Sequence, residues 1–161
     1  MIEREPVIRL EPFLHDNSEE LEEFLEEISG ELALRRGGTQ LLGELGTPDK
    51  LAQKISEEDE DSFALTVTIN SVLSGVIWAK IVANEFGDRV CNVPVFAVLK
   101  DARRCGVGTK LFEALERWVD SRSVVTIEFT ALPGDRHTKN FCESNGLVAR
   151  SLKMYKAIES Y

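Results

Sequence analysis

The chain is 161 residues long, 43% hydrophobic and 29% charged, the size and composition of one globular domain over 1–161 with no room for a second catalytic domain. Its longest apolar stretch, Val93 to Leu99, is far short of the ~20 residues a membrane span needs. Nothing near its head pairs a charged segment with an apolar one, so a cytoplasmic protein with no membrane partner is expected. The net charge of −9 argues against nucleic acid as a partner, because neutralising phosphates takes a basic surface.

That charge is unevenly spread. Residues 1–61 carry 18 acids against 6 bases, a balance of −12, and the total of −9 leaves +3 on the rest. An anionic ligand therefore belongs with the C-terminal part. Cys91, Cys105 and Cys142 are odd in number and form no CxxC pair, which points to free thiols and to no metal site.

In chain order, Val7, Ile8 and Leu10 read as a short first strand. Asp16 or Asn17 is placed to cap a helix carrying Leu21, Phe24, Leu25, Ile28 and Leu32 at helical spacing, which Gly37 and Gly38 end. Pro48 and Asp49 open a second, shorter helix with Leu51 and Ile55. Phe63, Leu65, Val67 and Ile69 then alternate with smaller residues as a strand, Asn70 and Ser71 turn the chain into Val72 to Val82, and Glu85 to Asp88 turn it into Val90 to Leu99. These three strands form an antiparallel meander. Val107, Leu111, Leu115, Trp118 and Val119 mark a helix, Val124 to Leu132 a strand, Asp135 to Ser144 a helix, and the stretch from Leu147 a final strand. Strand, helix, strand over 90–132 makes one parallel crossover on a sheet that begins antiparallel, so the fold class is mixed α/β.

Arg103-Arg104-Cys105-Gly106-Val107-Gly108-Thr109 lies between a hydrophobic strand and the first turn of an amphipathic helix. Free N–H groups at a helix N-terminus and the helix dipole favour an anion there, glycines let backbone approach it, and arginines donate in pairs to phosphate oxygens. The segment reads as a pyrophosphate cradle. It is not a P-loop, since Gly108 is followed by Thr109 and then Lys110, and it lacks a dinucleotide fingerprint's third glycine, Leu111 standing there.

Through Arg103, Gly106 and Gly108 the segment resembles the Arg/Gln-x-x-Gly-x-Gly/Ala signature of the GNAT superfamily of N-acetyltransferases. Phe96-Ala97-Val98 upstream and Phe141-Cys142-Glu143-Ser144-Asn145-Gly146-Leu147 downstream are similar to that family's other motifs. The resemblance implies a central, mostly antiparallel sheet flanked by helices, in the order strand, two helices, three strands, helix, strand, helix, strand. It also implies a V-shaped opening between the fourth and fifth strands that holds acetyl-CoA as co-substrate. Backbone groups of Phe96 and Val98 would pair with the pantetheine arm. The diphosphate would rest on Cys105, Gly106, Val107, Gly108 and Thr109, with Arg103 and Arg104 alongside.

Cys142 stands where the family has its tyrosine acid, and Glu128, facing away from Ile127 and Phe129, is the candidate base; Pro94 and Val95 occupy positions where relatives carry a glutamate. A buried structural thiol is the competing reading of Cys142. Asp135, near the implied pantetheine, is first a helix cap. Lys139 and Arg136 either meet the 3′-phosphate or face solvent, and His15 and His137 take no catalytic role. The expected activity is acetyl transfer to a primary amine of a small molecule or protein. The alternative is a silent acyl-CoA-binding module. The acidic first third would steer a cationic acceptor, and the apolar residues Val148, Leu152 and Met154, near a sheet edge, suggest a homodimer.

Overall fold

The computed structural model describes residues 4–13, 18–57 and 59–159; His15 and the capping role read for Asp16 or Asn17 lie outside them. The elements are β1 (Ile8–Pro12), α1 (Ser18–Ala33), α2 (Gly38–Leu45), α3 (Pro48–Ser56), β2 (Ser62–Ile69), β3 (Val72–Ala83), β4 (Arg89–Val98), α4 (Val107–Asp120), β5 (Val124–Phe129) and α5 (Arg136–Ser144), with a 3-10 turn at Lys100–Ala102. The strands form one sheet in the order β1-β2-β3-β4-β5, antiparallel from β1 to β4 and parallel between β4 and β5. This is the mixed α/β class read from the sequence. Asn70 and Ser71 both take positive φ, 50° and 67°, as a two-residue hairpin turn requires.

Alternation along the strands gives the sheet two buried faces. On one, Trp78, Val76 and Val95 pack against Leu21, Phe24 and Leu25 of α1 and Leu51 and Ile55 of α3. On the other, Ile77, Ala79 and Val93 pack against Val107, Leu111 and Leu115 of α4. The stripes at helical spacing in the sequence are thus the faces that meet the sheet.

β4 carries the feature that makes a site. Trp78 pairs with Val95 and Lys80 with Asn92, so Ala79 alone faces both Val93 and Pro94 across a bulge, which bends the strand. On the other side of β4 the ladder to β5 ends at Val93 opposite Phe129. Pro94 has no N–H to continue it. Residues 94–98 therefore run on without β5.

Three expectations are corrected. The stretch after Gly37 is no mere helix end: Gly38–Leu45 forms the extra helix α2, whose Leu41, Leu42 and Leu45 share lining on the α1 side of the sheet. Among the described residues no sixth strand follows α5. From Val148 to Glu159 the chain is exposed and outside any strand, and Lys153 pairs with Glu44 of α2. Apolar spacing suggested a strand, but a strand exists only when a neighbour takes its backbone hydrogen bonds. Tyr155, in this segment, packs no core and is half exposed. Strand β5 also stops at Phe129, three residues short of Leu132.

Gly75 of β3 sets how closely α4 lies on the sheet, since a Cβ there would stand 2.7 Å from Val107 Cγ1 and 3.3 Å from Leu111 Cδ1. Both neighbours are fully buried. Gly75→Ala should cost about 1–3 kcal/mol through overpacking, read as a lower midpoint in thermal or urea unfolding; an unchanged midpoint would refute so tight a contact.

Candidate active site

Past the end of the β4–β5 ladder a cleft of about 270 Å³ opens, walled by Phe96, Ala97 and Val98 of β4, the 103–109 loop, the start of α5 and the last turns of α1. The Leu99 N–H donates to Ser74 O on β3. Backbone direction alternates along a strand, so the N–H and C=O of Val98 and Phe96 face the open side. Val98 O accepts there from Arg103 Nε at 3.1 Å.

At one end of the cleft stands the N-terminus of α4. Gly106, its N-cap, takes φ 76°, and no side chain caps the helix. The first helical bond runs from Lys110 N–H to Gly106 O, which leaves the amides of Val107, Gly108 and Thr109 without an intrahelical partner. Arg104, at φ 69°, and Gly106 alternate left-handed backbone into the turn, an arrangement that gathers amides around a concavity. The donor set fits a phosphate group.

Gly108 also leaves room for the rings behind the loop. A Cβ on it would lie 3.2 Å from Phe96 Cζ and 3.4 Å from Phe141 Cε2. Phe96 stacks on Phe141 with centroids 4.9 Å apart and meets Phe129 edge-on at 5.4 Å, while Phe112 reaches both Phe129 and Phe141. Four rings thus join β4, β5, α4 and α5 behind the cleft, and Gly108 is the space they need.

The two loop arginines differ. Arg103 is half-buried and engaged, its Nη2 2.7 Å from Glu31 Oε2 on α1. Arg104 is exposed and has no ion pair among the described residues. Cys105 is exposed too, and Thr109 lines the cleft.

Asp135 both caps and lines. It accepts from Thr138 N and Oγ1 at 3.2 and 2.7 Å and pairs with Arg35 Nη1 at 2.6 Å. Burial opposes its ionisation, but the Thr138 hydroxyl and amide and the Arg35 guanidinium outweigh that cost and hold the carboxyl below its ordinary value. Glu31, in the last turn of α1, and Arg35, two residues past its end, therefore tie this end of the helix across the cleft to the loop on one side and to the cap of α5 on the other. The sequence reading missed both, as it missed Ile28, Leu32 and the cleft-lining His137. The only signal for Glu31 and Arg35 was their place beside the Ile28–Leu32 stripe.

The proposed proton-transfer residues lie elsewhere. Cys142 is buried at 8% exposure and is absent from the cleft walls; burial, with the negative charges of Asp135 and Glu143, raises its thiol pKa. Glu128 is exposed on β5, opposite Asn92, and is off the walls of the cleft. Lys139 and Arg136 are exposed and off the walls as well, Lys139 lying 3.9 Å from Glu143. Gly146, at φ 82°, ends α5: its N–H donates to Glu143 O and that of Leu147 to Cys142 O, the left-handed helix stop that glycine favours.

The model of the acetyltransferase (GNAT) family matches residues 18–147, and the chain belongs to that family. No protein of curated function matches it in sequence. Among solved structures it is similar to a ribosomal-protein-alanine N-acetyltransferase from Brucella melitensis biovar Abortus 2308, with TM-score 0.68 and 16% identity over 96% of this chain and 100% of that one. It is also similar to a glucosamine-6-phosphate N-acetyltransferase from Arabidopsis thaliana, with TM-score 0.64 and 14% identity over 95% and 99%. An aminoglycoside N-acetyltransferase, AAC(6')-Iy, in complex with CoA gives TM-score 0.68 and 15% identity over 99% and 100%. At such identities the likeness is one of fold. No described helix is long and apolar enough to cross a membrane.

Because the folded pKa of Asp135 is depressed, its contribution is present above the unfolded carboxylate value of about 4 and is lost as pH falls through the folded one. Asp135→Asn keeps a capping oxygen and loses the charge pair with Arg35. The variant should melt below wild type at pH 7, with the gap closing under acid; a gap constant down to pH 2 would contradict the assignment.

Proposed function

We propose that this protein transfers an acetyl group from acetyl-CoA to a primary amine by direct attack. The observation that carries the reading is the gap beyond Val93 and Phe129 with the uncapped N-terminus of α4 at its mouth. Phosphate oxygens would be held by the amides of Val107, Gly108 and Thr109 and by Arg104. Phe96 and Val98 would hold the arm through backbone groups that β5 leaves free, and the freed Phe96 N–H is placed to polarise a carbonyl in the gap. Acetyl-CoA supplies an activated acyl carbon. As the amine nitrogen bonds to it the C–S bond breaks, the amine loses a proton, and the departing thiolate gains one.

Arg103 must trade partners to reach a phosphate, whereas Arg104 need not. In calorimetric titration Arg104→Ala should weaken acetyl-CoA binding by about tenfold, the loss of one charge-assisted hydrogen bond of ~1.5 kcal/mol. Amine-dependent release of free CoA thiol across a panel of small amines and peptides tests the reaction itself. Tight binding with no release from any amine would favour the silent module. Exposed Glu19, Glu20, Glu23, Glu26 and Glu27 on α1 would steer a cationic acceptor, in which case kcat/KM falls with ionic strength.

Since Cys142 and Glu128 are both off the walls, we assign proton transfer to solvent in the cleft. Cys142→Ser and Glu128→Gln should then each keep kcat within about threefold. A loss near 10²-fold in either, at unchanged melting temperature, would restore that residue as acid or base.

A further inference from the structure

Behind the main cleft lies a second, smaller cavity of about 70 Å³, far below the roughly 300 Å³ at which pockets take a whole drug-sized ligand. Phe96, Ala97, Ile28, Leu32, Asp135 and Thr138 line both. Traced from the mouth at α4, the open edge of β4 passes Val98 and Phe96 in the first cavity and continues to Pro94 in the second, where the ladder to β5 begins at Val93. A ligand anchored by its phosphates at α4 and stretched along this edge would point its far end toward that second space.

Its walls are mostly apolar, with Leu41, Leu42 and Leu45 of α2, Leu25 of α1, Val95 of β4 and Leu132 beside the rings of Phe96 and Phe129, and with the hydroxyls of Ser29, Thr130 and Thr138 at its margin. The one carboxylate on them, Asp135, is already taken by Arg35 and Thr138, so no free charge waits there for an ammonium group. Small, mostly apolar and sharing six wall residues with the main cleft, the space suits a few methylene groups.

We propose that this cavity receives the acyl chain, and that the protein accepts thioesters of three- and four-carbon acids beside acetyl-CoA and binds them more tightly. The proposal rests on the acyl-CoA reading of the main cleft. It gives α2, the helix the sequence reading passed over, a role in setting chain length.

Acetyl-, propionyl-, butyryl- and octanoyl-CoA titrated calorimetrically without any amine isolate the acyl contribution. Affinity should rise about fourfold per added methylene through butyryl, as burial of each CH₂ supplies, and fall back at octanoyl. Leu42→Trp, which fills the cavity, should bring butyryl to within about twofold of acetyl, and Leu42→Ala should move the optimum to a longer chain. Each variant's melting curve verifies that it folds. Affinities flat from acetyl to butyryl would overturn the proposal while leaving the acetyl-CoA reading standing, and would assign the cavity to an apolar acceptor. A ratio unchanged in both variants would overturn it as well. No binding of any thioester would remove both readings.

Discussion

Strand β4 outruns its parallel neighbour. If the ladder continued past Val93 and Phe129, the sheet would be closed there and the backbone of Phe96 and Val98 would be consumed by β5. Two local features prevent this: the bulge that sets Val93 and Pro94 against the single residue Ala79, and a proline whose nitrogen cannot donate. Unpaired backbone groups inside a protein are costly unless something takes their hydrogen bonds. Here Arg103 takes one, at Val98 O. The same cost makes the open edge receptive to an extended ligand with amide groups of its own.

The gap keeps its shape because its walls are held apart and tied together at once. Behind it, the rings of Phe96, Phe112, Phe129 and Phe141 fill the angle between the diverging strands and the two helices, an arrangement of tilted and stacked rings that adds to plain area burial. Across its front, α1 is joined by Glu31 to Arg103, and the turn that follows it by Arg35 to Asp135. Those pairs are half-buried, with side-chain exposures from 13% to 28%, so they are screened less than surface pairs. Because Glu31 and Arg103 occupy each other, one loop arginine contributes to the architecture of the cleft, while the other, Arg104, is exposed and has no ion pair among the described residues. Spacing in the motif treats them alike, and packing does not.

Much of the fold was legible in local pattern. Alternation in Phe63–Ile69, the Asn70-Ser71 turn and the helical stripe from Val107 to Val119 each state a local preference that the sheet then satisfies, and β2, β3, β4 and α4 stand where those patterns put them. The patterns failed where a local preference had no partner or a weak signal was overridden. Leu147 to Ile158 has strand-like residues and no strand to pair with. Leu41, Leu42 and Leu45 form a helix just after two glycines that look like a terminus.

The amino-acid order by itself determined the class of fold, the turn of backbone amides at Gly106 and the membership that follows from them, because glycine, proline and periodic apolar residues act on their immediate neighbours. Only the tertiary structure decided that Cys142 and Glu128 stand off the cleft, that Gly108 makes room for rings, and that Glu31 and Arg35 close its front. Each of those depends on residues dozens of positions apart meeting across the sheet, and contacts between distant segments leave no spacing in the sequence to read.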